Sequence, residues 1–236
     1  MTTLFISGID TDIGKTYACG ALAKRLLDLQ FVLYTQKLVE TGCAEGVSND
    51  LLMHEKIVGK SFNKASLDEH CPYRFTLPAS PHLAAEKDQQ AIDIQHLKKQ
   101  MESLASQVDH LLVEGAGGLC VPLTNKAMIV DFIQDNKLPV VLVTSGRLGS
   151  INHTVLSLAL CRSKNIDVRA IIYNHYPNVP TWMFENTREI LKQRLKASFS
   201  KAIWLELAEN SDVIHMSVDE AEILLGSSDC FVSKSC

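Results

Sequence analysis

The sequence lacks the features that mark membrane proteins, secreted proteins and nucleic-acid binders. None of its apolar runs approaches the ~18 residues of a membrane span. Its opening segment, MTTLFISG, has neither the basic region nor the long apolar region of a secretory signal. Its net charge of −4 offers no basic surface for nucleic acid. We therefore expect a cytoplasmic protein that acts on small molecules, with neither nucleic acid nor membrane as a partner.

Cysteine and histidine are present, but their spacing does not indicate a structural metal site. The seven cysteines are odd in number and contain no Cys-x-x-Cys pair, which argues against a disulfide framework and a zinc site. Buried free thiols are the simpler interpretation. The eight histidines show no metal-ligand spacing, and we assign none of them a catalytic role.

What the sequence does contain is an alternation of short apolar runs and longer helical patterns. The runs are continuously apolar, which is typical of strands covered by helices on both faces of a parallel sheet. The pattern predicts an α/β, doubly wound, mainly parallel sheet with helices on both faces. We expect strands at Thr3–Ser7, Val32–Lys37, Leu111–Glu114, Val140–Thr144 and Val168–Asn174.

Helical periodicity fills most of the chain between these strands. Helices are predicted at Gly14–Leu29, Asp50–Val58, Asp93–Gln107, Asn125–Asn136, Gly149–Lys164, Pro180–Lys196 and Val218–Leu225. The segment Ser61–Pro81 carries three prolines and little periodicity, so we predict a long surface connection there. With 46% hydrophobic residues and no repeat or linker, we expect residues 1–236 to form one domain. The sequence does not indicate whether the tail, residues 226–236, is ordered.

The first predicted strand runs directly into GIDTDIGKT, residues 8–16. In a P-loop the glycines let backbone N–H groups face phosphate, Lys15 reaches the β- and γ-phosphates, and the Thr16 hydroxyl ligates Mg²⁺. Five residues rather than four separate Gly8 from Gly14. The position between a strand and a helix nevertheless favours a nucleotide-binding loop over an ordinary glycine-rich turn.

Two acidic residues are candidates for a metal site. Glu114 ends a strand within VEGAGG, where a carboxylate could hold Mg²⁺ directly or through water. A strand-end acid that faces solvent is the alternative. Asp50, within SND, could supply a second carboxylate or could instead cap a helix. The local sequence leaves this choice open.

Taken together, these segments resemble the dethiobiotin synthetase family. The resemblance rests on GIDTDIGKT, Lys37 at the end of the second strand, SND, PASPH, VEGAGG and RLGSINH followed by IIYNH, in that order. It spans roughly residues 3–206, and the five-residue spacing in the loop is the form that this family uses. The resemblance implies a P-loop NTPase fold and an enzyme of biotin synthesis. Such enzymes use CO₂ and MgATP to convert 7,8-diaminopelargonic acid to dethiobiotin.

The resemblance also implies site residues. For ATP they are Asp12, Ile13, Gly14, Lys15, Thr16, Tyr17, Asp50, Glu114, Gly115, Ala116, Gly117, Asn174, His175, Ile203, Trp204 and Leu205. Thr16, Asp50 and Glu114 would hold Mg²⁺, and Asn174 would read the adenine edge.

For the diamine and its carbamate, the implied residues are Thr11, Lys37, Thr41, Gly117, Gly149, Ser150, Ile151 and Asn152, with Lys37, Lys15 and Thr11 in catalytic roles. The last four open a helix whose free N–H groups would bind the substrate carboxylate. In the family this helix reaches across a two-fold axis, so a homodimer is expected. The simpler alternatives are a surface lysine at position 37 and threonines that cap turns.

The sequence departs from the family pattern in two places. Leu38 replaces the usual proline, and Glu40 adds a negative charge near the anionic ligands. The segment Ala202–Leu205 lacks the proline of a common adenine contact.

Two other functions use similar motifs. Cobyrinic-acid amidating synthases carry an additional glutaminase-like domain, for which this length leaves no room. Switches of the ParA/MinD type usually place a further lysine early in the loop, where this chain has Ile9-Asp10, and often add a basic or amphipathic surface.

Overall fold

The computed structural model describes residues 1–43, 46–60, 67–209 and 211–226. Six parallel strands form the central sheet in the order β2-β5-β1-β6-β7-β8. Their bounds are β1 Thr2–Gly8, β2 Leu33–Lys37, β5 His110–Gly118, β6 Val140–Ser145, β7 Val168–Asn174 and β8 Ile203–Leu207. A two-stranded parallel sheet pairs β3, Glu40–Thr41, with β4, Arg74–Phe75. The predicted fold class and all five predicted strands are confirmed.

The helices that flank the sheet are α1 Lys15–Asp28, α2 Asn49–Val58, α3 Leu67–His70, α4 Pro81–Lys87, α5 Ile94–Ala105, α6 Ile129–Asp135, α7 Ser150–Ser163, α8 Thr181–Ser198 and α9 Val218–Leu225. Each predicted helix is present, and α3 and α4 are two further helices that were not predicted. Within the described part of the chain, no helix combines the length and apolar character that crossing a membrane requires.

The structure differs from the prediction at the start of α6. The predicted helix began at Asn125, but the Thr124 hydroxyl accepts hydrogen bonds from the N–H groups of Lys126 and Ala127 and closes a turn. Such local side-chain bonds compete with helical ones. The Met128 N–H then donates to the Asp131 carboxylate at 2.9 Å, so α6 begins at Ile129.

The predicted connection over residues 61–81 also contains regular structure. Its first six residues, 61–66, lie outside the described part of the chain. The remainder includes α3 and β4, and Pro81 is the first residue of α4, a position where its fixed φ favours a helix. The mainly apolar segment IWLEL, residues 203–207, forms β8, a strand that was not predicted.

The order of the strands determines where a ligand site can form. From β1 the chain crosses to the β2 side of the sheet, and after β5 it continues on the other side through β6, β7 and β8. Ligands bind such sheets at the carboxyl ends of the strands where the direction reverses. There Glu114 is the register partner of both Ile6 on β1 and Lys37 on β2. The P-loop, Lys37 and Glu114 therefore meet at one edge.

Tight packing between β5 and β1 yields the first testable prediction. A Cβ added at Gly115 would lie 2.7 Å from Cε1 of the buried Phe5 ring and 2.9 Å from its Cζ. Overpacking of this kind costs about 1–3 kcal/mol, so Gly115→Ala should lower the free energy of unfolding by about that amount in urea titrations. In a Phe5→Leu background the added methyl has more room, and the penalty should shrink. An equal penalty in both backgrounds would contradict this account.

Candidate active site

The P-loop leaves the start of α1 open towards a cleft. Gly14 precedes α1 with φ at +89°, a conformation that favours glycine, and it provides no side-chain cap. The first N–H groups of the helix are therefore available to an anion. Lys15 Nζ lies 3.2 Å from the Asp10 carbonyl oxygen. Burial and the neighbouring Lys37 lower the pKa of Lys15, and a phosphate group beside it would restore a favourable environment for its charge.

Three oxygen-bearing side chains from different elements converge beside the loop. The Thr16 hydroxyl, on the first turn of α1, lies 2.9 Å from Asp50 Oδ1 and 3.0 Å from Glu114 Oε1. Hydroxyl and carboxylate oxygens are the ligands that Mg²⁺ prefers. The residues predicted to hold the metal are therefore close together, and their chemistry fits that ion.

Lys37 lies between the two carboxylates. Its Nζ is 2.8 Å from Glu114 Oε1, forms an ion pair with Asp50, and donates to the Gly115 carbonyl at 3.1 Å. Lys37 is buried, so it is not a surface lysine. Burial lowers the pKa of Lys37, but the attraction of Glu114 and Asp50 outweighs this effect and holds the pKa above its ordinary value.

Glu114 is completely buried, and each of its oxygens has a partner. Oε1 accepts from Lys37 and Thr16, whereas Oε2 lies 2.9 Å from His54 Nε2. Burial raises the pKa of this carboxyl, but Lys37 and the hydrogen bond with His54 outweigh it, so the pKa lies far below its usual range. Burial lowers the pKa of His54, while contacts with Cys19 and Glu114 more than compensate and raise it to about 10.

The start of α2 shows why Asp50 is not a helix cap. Ser48 is the N-cap, and its hydroxyl accepts from the Leu51 N–H at 3.2 Å. Glu40 adds a second layer, because its carboxylate accepts from the Ser48 hydroxyl and from the N–H groups of Asn49 (2.9 Å) and Asp50 (3.3 Å). A carboxylate at a helix N-terminus is favourable. Glu40 thus binds α2, and the Asp50 side chain remains directed at Thr16 and Lys37.

A cavity of about 1110 Å³ opens over these groups. Of the residues predicted for ATP, metal or substrate, those that line it are Thr11, Asp12, Gly14, Lys15, Thr16, Tyr17, Lys37, Thr41, Asp50, Glu114, Ala116, Gly117 and Asn174. Most of the predicted site residues therefore lie together around one cavity.

Other predicted residues lie outside the lining. Ile13 is a buried residue of the P-loop, and its carbonyl accepts from Asn174 Nδ2 at 3.0 Å. His175 Nε2 lies 3.1 Å from Glu206, which also accepts from the Trp204 indole at 2.9 Å. Ile203, Trp204 and Leu205 belong to β8, Gly115 packs on Phe5, and Gly149, Ser150, Ile151 and Asn152 form the start of α7. Their roles stay predictions.

The wall at the far end of the cavity was missed by the sequence reasoning. It consists of Tyr176, Leu207, Ala208, Ser211 and Asp212, which lie at or after the ends of β7 and β8. Recognising β8 from its short apolar run would have directed attention to the residues at its end, because strand ends build the site in this fold.

This wall is attached to α1. Lys24 Nζ pairs with Asp212 Oδ2 at 2.5 Å, and Arg25 Nε donates to the Met216 carbonyl at 2.9 Å. The same helix begins at Lys15 and Thr16. Both ends of the cavity therefore contact one helix.

Known proteins resemble this chain in sequence along most of its length. A family model described as an AAA domain matches residues 2–201. The ATP-dependent dethiobiotin synthetase BioD 2 of Haemophilus influenzae is 48% identical over 175 residues, which cover 74% of this chain and 91% of that protein. BioD 2 of Pasteurella multocida is 44% identical, covering 81% and 90%. BioD of Chlorobaculum tepidum is 45% identical, covering 82% and 81%.

Solved structures show the same fold at low sequence identity. The MinC:MinD cell division protein complex of Aquifex aeolicus matches with a TM-score of 0.53 and 14% identity, covering 96% of this chain and 86% of that one. A ParA family ATPase from Chlorobium tepidum matches with a TM-score of 0.52 and 13% identity, covering 95% and 89%. At such identities the likeness concerns the fold alone.

The contacts of Glu40 lead to a prediction about stability. Glu40→Ala leaves the N–H groups of Asn49 and Asp50 without their carboxylate acceptor, and loss of a cap costs about 0.5–2 kcal/mol. The variant should lose that amount of unfolding free energy in chemical denaturation. Glu40→Gln keeps an acceptor oxygen and should lose less. Glu86→Ala, at an exposed position on α4, is the control and should stay within about 0.5 kcal/mol of the parent. Equal losses at positions 40 and 86 would refute the capping role.

Proposed function

Because this chain belongs to the ATP-dependent dethiobiotin synthetase family, we propose that the cavity over Lys37 is where it closes the ureido ring of dethiobiotin. The chain is an ATP-dependent ligase of biotin biosynthesis. Its proposed substrates are 7,8-diaminopelargonic acid, CO₂ and ATP. The observation that carries the proposal is a buried lysine held beside a P-loop and a pair of carboxylates, all facing one cavity.

The reaction divides into three steps that this arrangement can support. One amine of the diamine adds to CO₂ and loses a proton, which gives a carbamate. A carbamate oxygen then attacks the γ-phosphorus of ATP, and ADP leaves. The second amine attacks the carbon of the resulting anhydride, phosphate leaves, and the ring closes. No protein nucleophile is required, so the site contributes positioning and charge neutralisation.

The nucleotide would lie along α1. The N–H groups at the start of that helix and Lys15 face the end of the cavity where the triphosphate would bind. Tyr176, Leu207 and Ala208 form the apolar part of the far wall, where a base would be accommodated. Asn174, which already holds the Ile13 carbonyl, links this end to the P-loop.

Thr16, Asp50 and Glu114 would hold Mg²⁺. When bound, this ion neutralises charge that develops on phosphate oxygens. The three side chains meet within hydrogen-bonding distance through Thr16, and their oxygens suit the ion.

Lys37 is the residue that we propose acts on the reacting groups. Its ammonium lies at the cavity floor, next to both carboxylates and close to the P-loop. A carbamate or a transferring phosphoryl group in the cavity would give this cation a further anionic partner. Lys37 stays protonated and positively charged, since its pKa is held above the ordinary value. Thr11 and Thr41 line the same cavity and would donate hydrogen bonds to the diamine or carbamate.

The helix start at Gly149–Asn152 would complete the site from a second subunit. These residues do not line the cavity of their own chain, and α7 begins without a side-chain cap from Gly149. Leu148 beside them is 89% exposed and Leu156 is 60% exposed, which supports their burial in a homodimer. We further propose that the chain is a single domain, since its described core is one continuous cluster, and that it acts in the cytoplasm.

A direct assay tests the function. Purified protein should release phosphate from MgATP only when both the diamine and bicarbonate are present, and mass spectrometry should detect dethiobiotin in proportion to the phosphate. Assays without the diamine and assays without bicarbonate are the controls. Hydrolysis that does not depend on the diamine, with no dethiobiotin formed, would refute the proposal and would favour a nucleotide-dependent switch.

Replacing Lys37 tests its role separately. Lys37→Ala should reduce turnover by about 10²–10³-fold or more, because the positive charge that faces the reacting groups is lost. Nucleotide binding, measured by calorimetry, should remain. Lys56→Ala removes an exposed lysine that lines the same cavity, and this matched control should keep most of the activity. Near-normal turnover in Lys37→Ala would remove Lys37 from the reaction.

A further inference from the structure

His54 makes a specific contact with one of the residues proposed to hold Mg²⁺. Its side chain is fully buried, with Nε2 at 2.9 Å from Glu114 Oε2 and Nδ1 at 3.1 Å from Thr35 Oγ1. Each nitrogen of the ring thus has a partner on a different strand, Glu114 on β5 and Thr35 on β2. These two contacts fix the plane and direction of the imidazole.

The chemistry of the carboxylate determines the direction of the hydrogen bond. An ionised carboxylate can only accept, so Nε2 must carry the hydrogen and donate to Oε2. The two oxygens of Glu114 are consequently divided between two environments. Oε2 faces His54 in the core, whereas Oε1 faces Thr16 and Lys37 on the cavity side.

The helix that carries His54 also carries a second proposed ligand. Asp50 and His54 are four residues apart on α2, so their side chains lie on the same face, one turn from each other. Asp50 contacts Thr16 and Lys37, and His54 contacts Glu114. The bond between His54 and Glu114 therefore sets the position of α2, and of Asp50, relative to β5.

From this geometry we infer that His54 is a positioning residue for the metal site. It holds Glu114 by Oε2, so that Oε1 is presented beside Thr16 and Asp50. The inference rests on the proposed metal site, but the binding experiment that tests it needs neither the diamine nor ring closure. Removing a group that orients a metal ligand by a hydrogen bond typically lowers the affinity for the metal by about 10–100-fold.

The experiment measures the affinity of a non-hydrolysable ATP analogue with Mg²⁺ and without it, by calorimetry, in each variant. In His54→Leu the gain in affinity that Mg²⁺ provides should fall by about 10–100-fold, while binding of the metal-free analogue changes little. In the assay, kcat should fall and the KM for the diamine should stay close to that of the parent. A full gain from Mg²⁺ in folded His54→Leu would overturn the inference.

Two further variants separate positioning from general packing. His54→Gln can place an amide N–H close to where Nε2 lies, whereas His54→Asn is one methylene shorter. Glutamine should restore much of the gain from Mg²⁺ and asparagine should not. Equal behaviour of the two would overturn the inference, and this comparison holds even if the leucine variant fails to fold.

His70→Leu is the matched control. His70 is also buried beside Thr35, but its Nδ1 contacts the Thr35 carbonyl oxygen at 2.6 Å. Its replacement should lower the melting temperature and leave the gain from Mg²⁺ unchanged. Loss of that gain in His70→Leu as well would count against a special role for His54.

One alternative is a metal bound directly by His54. Cys19, His54 and Glu114 offer ligand atoms that all lie within 4.8 Å of one another. Elemental analysis of the purified protein distinguishes the two roles. A stoichiometric zinc ion that is lost in His54→Leu would make His54 a ligand and would overturn the positioning role, whereas absence of zinc in both proteins would support it.

Discussion

The ion cluster of the buried Lys37 and Glu114 with the half-buried Asp50 is the interaction on which the rest of the site depends. Charges that are removed from water must be paired, and removing one partner of a buried pair costs about 3–5 kcal/mol. Lys37 is on β2, Glu114 on β5 and Asp50 on α2. A favourable arrangement of the charges therefore requires that these three elements keep their relative positions. The fold and the site are linked through the same few atoms.

The elements around the cluster are held in turn by polar contacts of their own. Glu40 binds the N-terminus of α2, and His54 binds the middle of that helix to Glu114. Both residues are buried, where an unsatisfied polar group would be expensive. Both contacts thus fix the position of α2. This explains how an extra carboxylate at position 40 is tolerated close to a site for anions.

Much of this arrangement could be predicted from the sequence, and the reasons for the gaps are physical. Strands such as VVLV and the loop GIDTDIGKT carry strong local patterns, so β6 and the P-loop were clear. Glu40 and His54 carry no such pattern, because their partners are distant in the chain and the contacts exist only after folding. The start of α6 was misjudged because the Thr124 hydroxyl stabilises a turn. Leu207 and Ser211 were missed because β8, the strand that leads into them, was not recognised.

The attachment of both cavity ends to α1 has a further consequence. From Lys15 to Lys24 the helix advances nine residues, or about 14 Å at 1.5 Å per residue. The phosphate end and the far wall are thus separated by a rigid spacer, since Lys24 and Arg25 attach the segment around Asp212 and Met216 to it. The length of α1 therefore sets the distance between the points where the phosphate end and the far wall are attached. A bound ligand would have to match that distance in length, in addition to carrying suitable groups at its two ends.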